Sequence, residues 1–465
     1  MLCTRGRGVG AAPAPCEEKM TKPIFGFVLF GGPLTGATVS QVRLVNELAS
    51  RGFPVHVWWT MDHPKRSRLR AEVKQYWLFS CLRYWNVGNV DSHHEFKDLV
   101  AHAARWLFPE NYWVDFCERR PTTLDEMIRG FIRRVCEGVE KDEVLVKRFA
   151  RQMAEAGVTH VLPTLAALCP WVLAAGSLME RPPKCLVTFQ GYEVYANYAR
   201  SDGRESALYR RLRDVVKQSN WPAVALSRDY RLRVMDEVGL SGPDVESISP
   251  GVPSTQKLSI EEARRILAAH FKGFRAEVPL VSFLGRRDAE KGIDLLLYAV
   301  SMLRRKGMKM QLAVCGPTLH GGTYVEACRH IAEHLRQPVL WSDYVATEVR
   351  EALFRASRVV VYPSIYREAF GMVAVEAMRH GTPVVVPDYG GITEAIEAEG
   401  RMGGLVFRSW DSGHLAEQIA RLLEDDALWR RLSEAGPHVA ACYSVGRMAD
   451  RLLAHMGLPP KPHGA

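Results

Sequence analysis

The chain has 465 residues, 47% of them hydrophobic and 24% charged, with a formal net charge of +9. That length is expected to form two or more domains, and the composition is that of a soluble globular protein. No run approaches the roughly 18 apolar residues needed to span a bilayer, and the ten scattered cysteines offer neither a C-x-x-C pair nor metal-ligand spacing, which excludes a structural zinc site and suits a reducing cytoplasm.

Residues 1–20 lack an apolar h-region, so they are expected to be a disordered tail, or an upstream extension with Met20 as the natural start. IFGFVLF then reads as a strand, followed by a turn with Gly31, Gly32 and Gly36, a helix near Val39–Ser50 and the strand PVHVWW. The glycine turn lacks the Rossmann fingerprint and the Walker lysine, so phosphate cradle and plain turn are equally good readings. Over about 62–157 the strand alternation is lost, and YWLFSCLRYW and HAARWLFPENYWVDF predict a helical, aromatic-rich insertion outside the central sheet. THVLP, KCLVTF, PAVALS and VESIS predict further strands, and Pro250-Gly251-Val252-Pro253 is the expected linker. Beyond it, strands and helices alternate through LVSFL, a helix near Asp294–Arg305, MQLAVCG, a helix near Tyr324–Leu335, PVLW, a helix near Thr347–Ala356, and RVVVYPS. Such alternation predicts parallel sheets covered by helices in both halves. The amphipathic GRMADRLLAHM closes the chain.

Two segments of the second half carry chemistry. In YREAFGMVAVEAM, Glu368 and Glu376 flank Phe370-Gly371 at a strand-to-helix turn. Helix N-termini leave backbone N–H groups unpaired, so the amides of Phe370, Gly371, Met372 and Val373 can receive a diphosphate, with Gly371 allowing close approach. Glu368 can then accept from sugar hydroxyls and Glu376 from a ribose, although two solvated glutamates on an amphipathic helix explain the same pattern. In FLGRRDAEKG, Gly285 turns the chain at the carboxyl end of a strand, where open α/β sheets bind ligands, and places Arg286 and Lys291 to neutralise a leaving diphosphate.

Together with DYGGITEAI (Gly390, Gly391, Glu394) and VESISPGVP, these segments resemble the retaining glycosyltransferases of family 4. The resemblance covers nearly all of the carboxyl-terminal half and only the skeleton of the first. It implies an α/β chain of GT-B fold, two Rossmann-like doubly wound domains facing each other across a cleft. The implied domains are an acceptor domain over 21–252, a nucleotide-sugar domain over 253–437, and a helix in 438–465 that crosses back to the first. By the same resemblance, Arg286 and Lys291 hold the donor diphosphate, Glu368 the hexose and Glu376 the ribose, with Gly36 and Gly285 lining the donor cleft. One departure stands out: Gln190, in VTFQGYE, occupies a place where the family usually has histidine.

The expectation is therefore a retaining, metal-independent hexosyltransferase with no cofactor. It takes a nucleotide-diphosphate sugar, a UDP-sugar before GDP- or ADP-sugars, and a hydroxyl acceptor: a glycolipid, a polysaccharide intermediate or a small soluble molecule. The absence of an Asp-x-Asp motif argues against a metal-dependent transferase of the other large fold, and the absence of G-x-S-x-G against a hydrolase. A catalytically silent GT-B partner subunit is the competing class, kept open by Gln190. His160 and the pair His93-His94 read more simply as structural or exposed. The basic cluster Lys65, Arg66, Arg68, Arg70 and Lys74, followed by QYWLF, suits an anionic membrane surface or a solvated helix face, and no nucleic-acid motif accompanies it. The expected location is cytoplasmic, with peripheral contact at the inner face of the membrane.

Overall fold

A computed structural model describes residues 22–30, 36–60, 69–78, 124–254, 258–318 and 322–460. The first domain opens with β1 (Phe25–Leu29), α1 (Gly36–Ser50), β2 (Val55–Trp59) and β3 (Lys74–Trp77). It continues through α2 (Leu124–Glu137), α3 (Glu143–Glu155), β4 (His160–Pro163), α4 (Cys169–Gly176) and β5 (Lys184–Cys185). β6 (Thr188–Phe189), α5 (Tyr192–Ser201), α6 (Glu205–Gln218), β7 (Ala223–Ala225), α7 (Arg228–Val238) and β8 (Val245–Ser247) complete it. FGFVL and VHVWW are buried along their whole length, as strands of a parallel sheet covered on both faces must be. The strand order is β3-β2-β1-β4-β5, all parallel. KCLVTF divides between two partners: β5 pairs with β4, and β6 with β7 in the parallel set β6-β7-β8.

The stretch 62–157 departs from the expected helical insertion. Lys74–Trp77 forms β3, paired in parallel with β2 from His56↔Lys74 to Trp59↔Trp77. As an edge strand it carries two polar residues in four, too few apolar ones for the pattern of a central strand. Helices α2 and α3 bring Phe131, Val135, Phe149 and Met153 into the domain's own core. HAARWLFPENYWVDF and His93-His94 lie outside the described residues.

In the second domain, α8 (Ile260–His270), β9 (Leu280–Leu284), α9 (Ile293–Arg305), β10 (Gln311–Cys315), α10 (Thr323–His334), β11 (Val339–Ser342), α11 (Thr347–Ala356) and β12 (Val359–Val361) alternate along the chain. They are followed by α12 (Met372–Arg379), β13 (Val384–Pro387), the short α13 (Ile392–Ala395), the hairpin β14 (Glu397–Ala398) and β15 (Arg401–Met402), and β16 (Gly404–Phe407). The sheet order is β11-β10-β9-β12-β13-β16. After α14 (Ser412–Glu424) and α15 (Asp426–Cys442), α16 (Val445–His455) returns to the first domain. There Met448, Ala449, Leu452 and Leu453 share a core with β1 and α1. The linker is tied down where Val252 N donates to Tyr443 O at 2.8 Å.

In each large sheet the chain order reverses once. β2 and β3 build outward on one side of β1 while β4 lies on the other, and β10 and β11 build outward from β9 while β12 lies on its other side. Ligands of open α/β sheets bind outside the carboxyl ends of the strands at such a reversal. Both expected charge-bearing motifs fall there in the second domain.

Candidate active site

The turn after β9 and the loop after β12 are locked together. Gly292 caps α9 with φ 63°, and a Cβ at this position would lie 2.2 Å from the carbonyl oxygen of Pro363, so the close approach requires glycine. Ile365 N donates to Glu290 O at 3.0 Å across the same contact. This places the Lys291 ammonium in an ion pair with Glu368, whose carboxylate also accepts from Ser364 Oγ at 2.7 Å. Lys291 is buried and lies 5.5 Å over the Tyr362 ring. Burial alone would lower its pKa, but the Glu368 carboxylate, with Tyr362 and Glu290, outweighs it and raises the group above the ordinary lysine value. The Tyr362 hydroxyl is pushed up to about 12 by burial and by Glu368. Arg286 donates to Asp288 Oδ2 at 2.6 Å and pairs with Glu290. Burial works against its charge, and these two carboxylates restore it and raise its pKa.

The loop then enters α12 through Gly371, at φ 95°, where a Cβ would meet Ile392 Cγ1 at 2.5 Å. The Phe370 ring is buried edge-on against Tyr443, with centroids 5.2 Å apart, so this residue can offer a ligand only its backbone. Met372 and Val373 open the helix, and their amides belong to the positive end of its dipole. Glu376, further along α12, is buried and accepts from Arg43 Nη2 of the first domain at 2.5 Å.

The first domain faces this helix directly. Gly36 begins α1, and a Cβ on it would lie 3.3 Å from Met372 Cε. Gln190 follows β6, at the carboxyl end of the three-stranded set β6-β7-β8, and is buried, and its Oε1 has no hydrogen-bond partner among the described residues. The next residue, Gly191, donates its amide to Tyr230 Oη at 2.8 Å. Gly31 and Gly32 lie outside the described residues. Beside the cleft the domains are clamped: Ser227 Oγ donates to Ala369 O at 2.8 Å, Glu394 accepts from the amides of Arg228 (3.1 Å) and Asp229 (2.7 Å) at the start of α7, and Arg367 pairs with Asp229.

The structure thus unites Arg286, Lys291 and Glu368 at one reversal point, sets Gly285, Gly371, Met372 and Val373 around it, and brings Gly36 against Met372. Sequence reasoning treated Lys291 and Glu368 as holding different parts of a ligand, whereas here they hold each other. It missed Ser364, Asp288, Glu290 and Tyr362, of which the two acids were visible in RRDAEKG as charges alternating with Arg286 and Lys291. Arg43 and Arg350, which flank Glu376, carried no signal in the sequence. His160 starts β4 at the end away from the cleft, stacked on Trp221 with centroids 5.7 Å apart, which fits a structural role. Of the basic cluster, Lys65, Arg66 and Arg68 lie outside the described residues, while Arg70 pairs with Glu72 and Lys74 starts β3. Among the described residues no helix is long and apolar enough to cross a membrane, and no group of His, Cys, Asp or Glu is arranged to hold a metal ion.

Residues 268–439, which include every one of these second-domain groups, match the family described as glycosyl transferases group 1. D-inositol 3-phosphate glycosyltransferase of Corynebacterium jeikeium is 33% identical over 228 residues, covering 48% of this chain and 52% of that protein. Mannosylfructose-phosphate synthase of Agrobacterium fabrum is 30% identical over 270 residues, 57% of each. The chain spans about half the length of the curated relatives it matches. Among solved structures, Anabaena HepE in complex with UDP and glucose superposes with a TM-score of 0.65 at 16% identity, over 93% of this chain and 99% of that one. Sucrose-phosphate synthase of Thermosynechococcus elongatus superposes with a TM-score of 0.69 at 17% identity, over 94% and 98%.

Proposed function

From the premise that residues 268–439 form a glycosyl transferases group 1 domain and that the chain has the GT-B fold, we propose that this protein is a retaining, metal-independent hexosyltransferase using a nucleotide-diphosphate sugar. The observation that carries the reading is the convergence of Arg286, Lys291 and Glu368 at the strand-order reversal of the second sheet, with the α12 terminus facing α1 of the first domain. The crystallisation of HepE with UDP and glucose supports UDP as the first nucleotide to test.

In the proposed reaction the acceptor oxygen attacks the anomeric carbon on the face that the diphosphate leaves. The bond from that carbon to the diphosphate oxygen breaks with its electrons going to the phosphate, which takes the acceptor's proton. Arg286, Lys291 and the Met372 and Val373 amides stabilise the charge that develops on the departing diphosphate. Asp288, Glu290 and Glu368 hold the two cations in place beforehand, so little reorganisation is needed when the phosphate arrives. Glu368 takes the hexose hydroxyls and Glu376 the ribose. Gln190 has a buried amide oxygen with no hydrogen-bond partner among the described residues; set beside the anomeric carbon, it can stabilise positive character there and cannot act as a base. That same residue favours the second reading, a GT-B subunit that binds a sugar nucleotide without turning it over.

The test is transfer from UDP-, GDP- and ADP-hexoses to a panel of lipid, glycan and small polyol acceptors in excess chelator. Transfer at an undiminished rate supports the reading. Activity restored only by magnesium or manganese would refute the metal-independent chemistry, and nucleotide-sugar binding with no transfer or hydrolysis would favour the silent subunit.

A further inference from the structure

Glu376, the carboxylate given to the ribose above, is already engaged. Arg43 on α1 donates from Nη2 to its Oε1 at 2.5 Å, while Nη1 of the same guanidinium lies 3.5 Å from the Gly251 carbonyl oxygen and 3.9 Å from Met372 Sδ. Arg350 Nη1 stands 3.9 Å from the other oxygen, Oε2. The Arg43 and Glu376 side chains are only 11% and 7% exposed, so the carboxylate has almost no solvent face on which a ribose diol could settle.

We propose that Arg43 sets the affinity for nucleotide: its ion pair with Glu376 latches the two domains together over the ribose site, and nucleotide binding exchanges that pair for hydrogen bonds from the ribose. The inference rests on the assignment of Glu376 to the ribose. Two neighbouring features make the exchange workable. Arg43 lies about two turns along α1 from Gly36, which itself abuts Met372, so one face of α1 rests against α12 and must shift as a unit when the latch opens. Glu376 does not lose every counter-ion on exchange, because Arg350 stays beside it, held by Glu351 at 3.0 Å. Glu351 is shared with Arg379 at 2.7 Å, and Arg379 also donates to the Pro253 carbonyl, so this charge network runs from the ribose carboxylate to the interdomain linker.

A site available in only a fraction of molecules binds with an apparent affinity reduced by that fraction. A latch open in about one molecule in ten would cost tenfold in affinity, which is the size expected here for one largely buried, charge-assisted hydrogen bond. The experiment is calorimetry of the full chain, of Arg43→Ala and of Arg43→Lys with UDP, GDP, ADP and inorganic pyrophosphate. Alanine is the best helix former, so α1 is retained, and circular dichroism checks this. The nucleotide that binds should bind Arg43→Ala about tenfold more tightly, with Arg43→Lys intermediate and pyrophosphate, which lacks a ribose, unchanged. Solution scattering should show a larger radius of gyration for Arg43→Ala. Nucleotide binding to Arg43→Ala alone would support the latch strongly. Equal or weaker nucleotide binding by Arg43→Ala would overturn the latch and leave the donor site standing. If none of the three nucleotides binds either protein, the donor reading falls, and the latch as a gate to the ribose falls with it.

Discussion

Lys291→Met tests the central ion pair independently of any ligand. Lys291 and Glu368 have side chains 7% and 14% exposed, and the ammonium also faces the Tyr362 ring. Removing one partner of a buried pair typically costs about 3–5 kcal/mol, because the other charge is left uncompensated. Glu368 keeps the Ser364 hydroxyl at 2.7 Å and a little solvent contact, so the lower part of the range applies, about 3–4 kcal/mol. Glu368→Gln should be milder, about 1–2 kcal/mol, since Glu290 Oε1 remains 3.7 Å from the ammonium. The double variant Lys291→Met/Glu368→Gln removes both charges and should be more stable than the sum of the single losses predicts, by at least about 1 kcal/mol. Urea unfolding followed by fluorescence and circular dichroism gives these values where the two transitions coincide. Single losses that add within about 0.5 kcal/mol would show that the two groups are not energetically coupled, and the reasoning from the Gly292 contact to a prebuilt cation site would fail.

In the Arg43→Ala background, where no latch competes, Glu376→Gln should weaken UDP binding about tenfold to a hundredfold, the worth of a charge-assisted hydrogen bond, and Glu368→Gln should leave it nearly unchanged. Calorimetry giving the opposite ranking would reverse the orientation of the donor. Gln190→Ala should lower kcat more than it weakens donor binding, with Gln190→His tolerated; unchanged turnover and acceptor affinity would remove Gln190 from the site. Burial, and then the charge of Lys184, depress His160 to about 4, so on acidification the unfolded chain takes up this proton first. Stability should therefore fall as pH drops from about 6.5 to 4 and owe nothing further to this group below that, and His160→Gln should flatten this slope in pH-dependent unfolding. An identical slope in parent and variant would show that His160 is not the group responsible.

The sequence by itself determined what depends on neighbours along the chain. β9 runs over Leu280–Leu284 and α11 over Thr347–Ala356, as their patterns required, because a buried parallel strand must be continuously apolar and a surface helix must repeat its apolar face. RRDAEKG and REAFGMVAVE marked the charge-bearing turns for the same reason: glycine, cations and carboxylates are concentrated there within a few residues. Edge strand β3 was illegible, since half of its four residues are polar and only its pairing with β2 reveals it. Contacts between distant segments left no local trace either. The union of Lys291 with Glu368 depends on the fit of Gly292 under Pro363, and that of Arg43 with Glu376 joins residues 333 positions apart across two domains. Such pairs are decided by packing, because a charge on a helix chooses its partner only after tertiary burial has removed water and brought the other element within reach.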